Sequence, residues 1–166
     1  MLVKRNQKLF FSLLRAFYSI LCTFERENPL PETLLMVTAL EFLKKAGVFY
    51  VTTTDGNQPK CRPFGIVAEH NDRLYICTKN DKDCYKQMVK NPLIEICAMA
   101  GDDWIRITGE IAPDASKEAK EAVLEQNPFA KKIYSIDDPH FAVLCFKKAT
   151  ADVYQSIGQI VSVPLV

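Results

Sequence analysis

The chain has 166 residues, of which 48% are apolar, and its 21 lysines and arginines nearly balance 20 aspartates and glutamates. That is enough for one domain with a full hydrophobic core, unaided by disulfides or a structural metal. It excludes a fibre, a disordered tail and a polycation, so an anionic ligand must be met by a local cluster of cations.

Residues 1–35 differ in character from the rest. Lys4, Arg5 and Lys8 precede the apolar run 9–24, and NPLP at 28–31 breaks it. Arg15 inside the run and the lack of a small-x-small cleavage site argue against a signal peptide. The run is also shorter than the roughly 20 apolar residues a membrane span needs. Residues 1–35 therefore read as an N-terminal extension, either a docking amphipathic helix or an upstream lengthening of the reading frame, and 36–166 as the functional domain.

Within that domain, 38–47 carries Leu40 and Leu43 at helical spacing with Gly47 as a stop. The β-branched run 48–54 is a strand, and Asp55-Gly56 signals a hairpin into a second strand over 60–70. Pro63 confines that strand to an edge or a bulge. Asn71-Asp72 turns the chain into a strand at 73–78, so 60–70 is expected to pair with 73–78. Residues 79–92 shift to helical period, with Asp81 as the expected N-cap. A hairpin follows (93–100 and 104–112 about the turn 101–103), then a helix from Ser116 to Gln126 and a short helix at 127–134. Late strands are expected at 141–148 and 150–156, and the tail after Gly158 carries no signal. Successive hairpins without β-α-β alternation exclude a doubly wound sheet and fit a small, partly open antiparallel β-barrel with peripheral helices.

Six cysteines include no C-x-x-C pair, and His70 and His140 are the only imidazoles, so no zinc-type grouping is assembled from neighbours. Cys61, Cys77, Cys97 and Cys145 lie in apolar or β-like runs and read as reduced core residues of a cytoplasmic protein. The common nucleotide-loop, nucleophile-elbow and zinc-protease motifs are absent. The basic patch lacks the repeated aromatic platform of a single-strand nucleic-acid binder.

Charge is unevenly spread. Residues 60–90 hold seven basic and four acidic side chains, whereas 101–140 hold five and nine. The cationic stretch surrounds the junction of strand 73–78 with the helix that follows. A helix start offers unpaired N–H groups and a positive partial charge, which suits a phosphate. Thr78, Lys79, Asn80 and Lys82 lie at that junction, and Arg62 reaches it if its strand pairs with 73–78. A solvated helix face is the plainer alternative. On strand 104–111, alternation sets Trp104, Arg106 and Thr108 opposite Ile105 and Ile107. That face suits a flat, partly charged ligand, and a packed Trp with Arg106 paired to Glu110 is the alternative. Gly65 either admits a planar ring close to the backbone or marks a bulge.

Three segments in order, ALEFLKKAGVFYVTTTDGNQPKCRPFGIV, LYICTKNDKDCYKQMVKNP and DDWIRITGE, resemble the pyridoxamine 5′-phosphate oxidase-related family of FMN-binding split barrels, in its nitroimidazole-resistance-like branch. The resemblance covers about 38–155. It implies a homodimer with flavin sites at the subunit interface. It implies that Arg62 meets the FMN phosphate and that Pro63, Phe64 and Gly65 line the ring edge. Thr78, Lys79, Asn80 and Lys82 would contact the phosphate region, and Trp104 would approach from elsewhere, with Arg106 a candidate for charge near the reduced ring. The oxidase itself has Ser-Arg-Lys at the positions of Lys82, Asp83 and Cys84 and an arginine in its final segment, which IGQIVSVPLV lacks. These departures argue against pyridoxamine phosphate as substrate. The expectation is an FMN-dependent oxidoreductase acting on a small molecule, with NAD(P)H as a candidate donor. The alternative is a non-catalytic flavin- or haem-binding carrier or sensor on the same barrel.

Overall fold

A computed structural model describes residues 32–155 and 160–165 of the chain. The expectation for the apolar run 9–24 lies outside them. Helix α1 (Glu32–Ala46) leads into strands β1 (Phe49–Asp55), β2 (Gln58–Phe64), β3 (Val67–His70) and β4 (Arg73–Lys79). Helix α2 (Asp83–Lys90), β5 (Leu93–Ala100), β6 (Asp103–Asp114), α3 (Lys117–Gln126), a 3-10 turn (Ala130–Lys132), β7 (Phe141–Tyr154) and β8 (Ile160–Pro164) complete the order. The strands form one antiparallel sheet in the order β2-β1-β5-β6-β7-β4-β3, with β8 added alongside β7.

The connectivity forces this sheet to curl. β2 and β3 stand at opposite ends of the path, which in a flat sheet would be about 29 Å apart at about 4.8 Å per strand. Yet only Gly65 and Ile66 link Phe64 to Val67, a span of at most about 11 Å. The ends must therefore come together, although among the described residues no ladder joins them. The result is a barrel with a split between β2 and β3. Gly65 sits in that split, where a Cβ would lie 3.3 Å from the Gly47 carbonyl, so close backbone packing explains the glycine.

The barrel interior is filled by Phe49, Val51, Ile96, Ile105, Ile107, Leu74, Ile76 and Phe146, with Leu43 from α1 and Met88 from α2. A second core lies on the other face of β3, β4 and the start of β7, where Tyr75, Cys77, Val143 and Cys145 meet Ala119 and Val123 of α3. β4 is thus buried on both faces, which is why LYICT shows no alternation.

Several expectations change. The 60–70 segment is two strands: β2 pairs with β1, and only β3 pairs with β4. Helix α1 begins at Glu32 rather than at 38, and 127–134 holds only a three-residue 3-10 turn. The two late strands are one, because β7 continues through 149 while its register with β6 shifts at Glu110/Ile111. The tail after Gly158 supplies β8. Cys77 and Cys145 are core residues as expected, joined by Cys84, but Cys61 is exposed and Cys97 only partly buried. Both sit on outward-facing positions of β2 and β5, where apolar-looking strands present their second face.

Candidate functional site

The strand-to-helix junction is built by β4, α2 and the edge of β1 and β2. Lys82, not Asp81, occupies the N-cap position of α2, and its side chain makes no capping bond. The helix therefore starts with orphan N–H donors that no side chain of its own satisfies. Lys82 is exposed yet close enough to Cys77 to oppose the effect of burial, which lifts that thiol from 9.0 to about 12. Thr78 is buried at the end of β4 with its hydroxyl 3.5 Å from the Cys84 thiol in the first turn of α2. Lys79 is the last residue of β4, paired with Phe141.

Arg62 reaches this region by a different route from the one expected. Its strand lies beside β1, and its guanidinium bridges to α2. Nη1 donates to Thr53 Oγ1 at 2.5 Å and to the Lys60 carbonyl at 3.2 Å, and Nη2 donates to Gln87 Oε1 at 2.8 Å. Thr53, buried on β1, in turn donates to Gln87 Oε1 at 2.7 Å. Neither Thr53 nor Gln87 stands out in the sequence; the only signal is a threonine at an inward-facing position between Val51 and the hairpin.

Asn80 serves a structural purpose. Its backbone N–H donates to the His140 carbonyl at 2.9 Å, its Nδ2 to the Pro139 carbonyl at 2.9 Å, and its Oδ1 lies 3.0 Å from His140 Nδ1. With both ends of its amide engaged, Asn80 fastens the 138–140 loop to the junction.

Trp104 and Arg106 stand apart from this cluster. Alternation along β6 holds, with Ile105 and Ile107 fully buried and Trp104 and Arg106 on the outer face. Cross-strand register places Pro63, Tyr50, Cys97 and Arg106 in one row over β2, β1, β5 and β6. Arg106 is thus about 14 Å from Pro63, three strand spacings away. Trp104 stacks on Tyr154 with ring centroids 3.6 Å apart and planes 5° from parallel. Arg106 donates to the Tyr154 hydroxyl and not to Glu110, and lies over both rings. Neither the stack nor the partner was expected, because Tyr154 lies 50 residues away in sequence and meets Trp104 only through the β6–β7 register. A groove of about 690 Å³ crosses the same outer face, lined by Thr52, Thr54, Glu95, Thr108, Glu110 and Thr150 among others.

Residues 36–154 match the pyridoxamine 5′-phosphate oxidase family. The chain belongs to that family. A NimC/NimA family protein of Clostridium acetobutylicum is 46% identical, with a TM-score of 0.77 over 80% of this chain and 93% of that one. This likeness puts the chain in the nitroimidazole-resistance-like branch of the oxidase family. Lower identities show the shared fold alone. A pyridoxamine 5′-phosphate oxidase-related FMN-binding protein of Nostoc punctiforme is 13% identical, with a TM-score of 0.52 over 82% of this chain and 97% of that one. A haem-binding protein of Mycobacterium smegmatis is 17% identical, with a TM-score of 0.61 over 74% of this chain and 57% of that one. No curated protein matches. The split barrel of the pyridoxamine 5′-phosphate oxidase family is therefore the fold of this chain, and no helix among its described residues is long and apolar enough to cross a membrane.

Proposed function

We propose that the protein is an FMN-dependent oxidoreductase, working as a homodimer, in which Arg62, Lys82 and the first turn of α2 hold the flavin phosphate. One observation carries this reading. Arg62 is partly buried and held only by neutral acceptors, one of them Gln87, a turn into the helix whose start has no side-chain cap. A guanidinium fixed in place without a counter-charge, on a helix whose first amides lack a side-chain cap, is suited to receive an anion. Three charge-assisted contacts at roughly 1.5–3 kcal/mol each would offset much of the cost of association of a phosphate monoester, with contacts to the flavin ring supplying the rest.

When bound, the flavin supplies the redox chemistry, taking electrons from a donor such as NAD(P)H and passing them to a small acceptor. The chain's own residues position it. The backbone at Phe64 and Gly65, at the split with Gly65 exposed, is suited to the ring edge. The outer face supports a second copy: Tyr50, Leu93, Met99 and Ile160 are 50–65% exposed there, more large apolar surface than a solvated sheet carries by chance. A second copy seated on this face would bring its Trp104 and Arg106 toward the flavin, which one chain alone keeps three strands away. Five described cysteines are free thiols, in keeping with a reducing, cytoplasmic setting.

Two observations weigh against related readings. β8 carries no arginine, so the cation that would help hold a vitamin phosphate is missing, and with Asp83 opening α2 Lys82 stands in for the oxidase's phosphate-binding cations there. His70 ends β3 at a turn and His140 lies in the 138–140 loop, both at the surface, which favours flavin over haem. The test is an absorbance spectrum of the purified protein with mass spectrometry of the released cofactor, followed by NAD(P)H. Flavin bands that bleach quickly and return with an acceptor support the enzyme; a Soret band or slow, acceptor-independent bleaching contradicts it.

A further inference from the structure

We propose that Gln87 and Thr53 are positioning residues that hold Arg62 as an unneutralised cation, and that this neutrality makes the site select a phosphorylated flavin over an unphosphorylated one. The proposal rests on the phosphate reading above and adds what sets its specificity. Arg62, Thr53 and Gln87 form a closed ring of hydrogen bonds. Arg62 donates to both partners, and Thr53 accepts from Arg62 while donating to Gln87. Since a guanidinium can only donate, the Gln87 amide must turn its oxygen toward Arg62, and its NH2 group faces away.

A glutamate at position 87 would make the same two bonds in the same shape, and a carboxylate is the commoner partner for arginine. It would also cancel the charge. The amide, on a residue about 6 Å of helix rise past Asp83, the first residue of α2, fixes the guanidinium while leaving its full charge available. The other charges at this end do not undo this. Asp83 is 88% exposed and lies 3.9 Å from Lys86, while Lys60 and Lys82 add positive charge. Among the described residues no carboxylate pairs with Arg62.

The test is Gln87→Glu, which preserves shape and changes only charge, read by titrating the full-length apoprotein with FMN and with riboflavin. From the worth of a charge-assisted contact, FMN affinity should fall about 10- to 100-fold while riboflavin affinity stays within about 2-fold. Thermal stability should hold or rise as Arg62 gains a counter-ion. An unchanged FMN affinity overturns the proposal, and so does an equal loss for both ligands, which would mark a merely structural role. If Gln87→Glu does not fold, Gln87→Met carries the test: it keeps the charge but loosens Arg62, so FMN should weaken selectively, and equal weakening overturns the proposal. A wild-type protein that binds riboflavin as tightly as FMN would overturn the phosphate reading itself, and this proposal with it.

Discussion

Arg62 shows how a side chain singled out for its charge can reach its place by another route than the chain suggests. Its charge, its neighbours and Pro63 were legible along the chain, but the partner that fixes it, Gln87, comes from α2 and is read only once β2 lies beside β1. Asn80, whose position beside a helix start reads as ligand contact, has an amide that ties down the 138–140 loop. Buried titratable groups add a pH dependence. Burial lifts the Cys77 thiol from 9.0 and the Tyr134 phenol from 10.0, each to about 12. The folded chain holds these protons more tightly than the unfolded chain does. Their contribution is intact below pH 9 and is lost as pH rises toward 12. Urea midpoints should therefore fall above about pH 9, and Tyr134→Phe should remove part of that slope. A midpoint that stays flat to about pH 11 would contradict this.

Helix α2 and strand β6 carry opposite compromises between stability and purpose. An uncapped start is a cost: replacing Lys82 by Asp should stabilise the flavin-free protein by about 1 kcal/mol through a new cap. The same change should weaken FMN binding, because it puts a carboxylate where the phosphate is proposed to sit. Calorimetry with and without FMN reads both effects, and a variant that binds FMN as tightly as the parent contradicts the assignment. Gly109 is fixed by packing. A Cβ there would lie 2.4 Å from the Lys148 carbonyl and 2.8 Å from the Ala149 Cβ, just before the register shift at Glu110/Ile111. Gly109→Ala should destabilise the fold by about 1–3 kcal/mol, read as a lower urea midpoint. The strand pattern of β6 was plain in its alternating isoleucines, whereas the union of 141–148 with 150–154 was hidden. Lys147 and Lys148 are both exposed, and such a pair reads as a break between strands when it is an irregularity within one.

Across the molecule, closure of the barrel follows from a two-residue link between strands at opposite ends of the sheet. Successive hairpins already pointed to a partly open barrel, but they predict only local pairs, so the place of the split, between β2 and β3, was not visible in them. The outer face is where the proposed second copy would seat. Met99→Lys, at a 65% exposed position in the Trp104 row, should shift sedimentation from dimer to monomer and lower flavin content. A protein that is monomeric before the substitution would refute the shared site. The whole account turns on the proposed grip of Arg62 and Lys82 on a flavin phosphate. It is tested most directly by purifying Arg62→Ala, Lys82→Ala and measuring bound FMN per chain alongside thermal unfolding. The predicted result is a cooperatively folded protein without flavin; a double variant that retains one FMN per chain would contradict it.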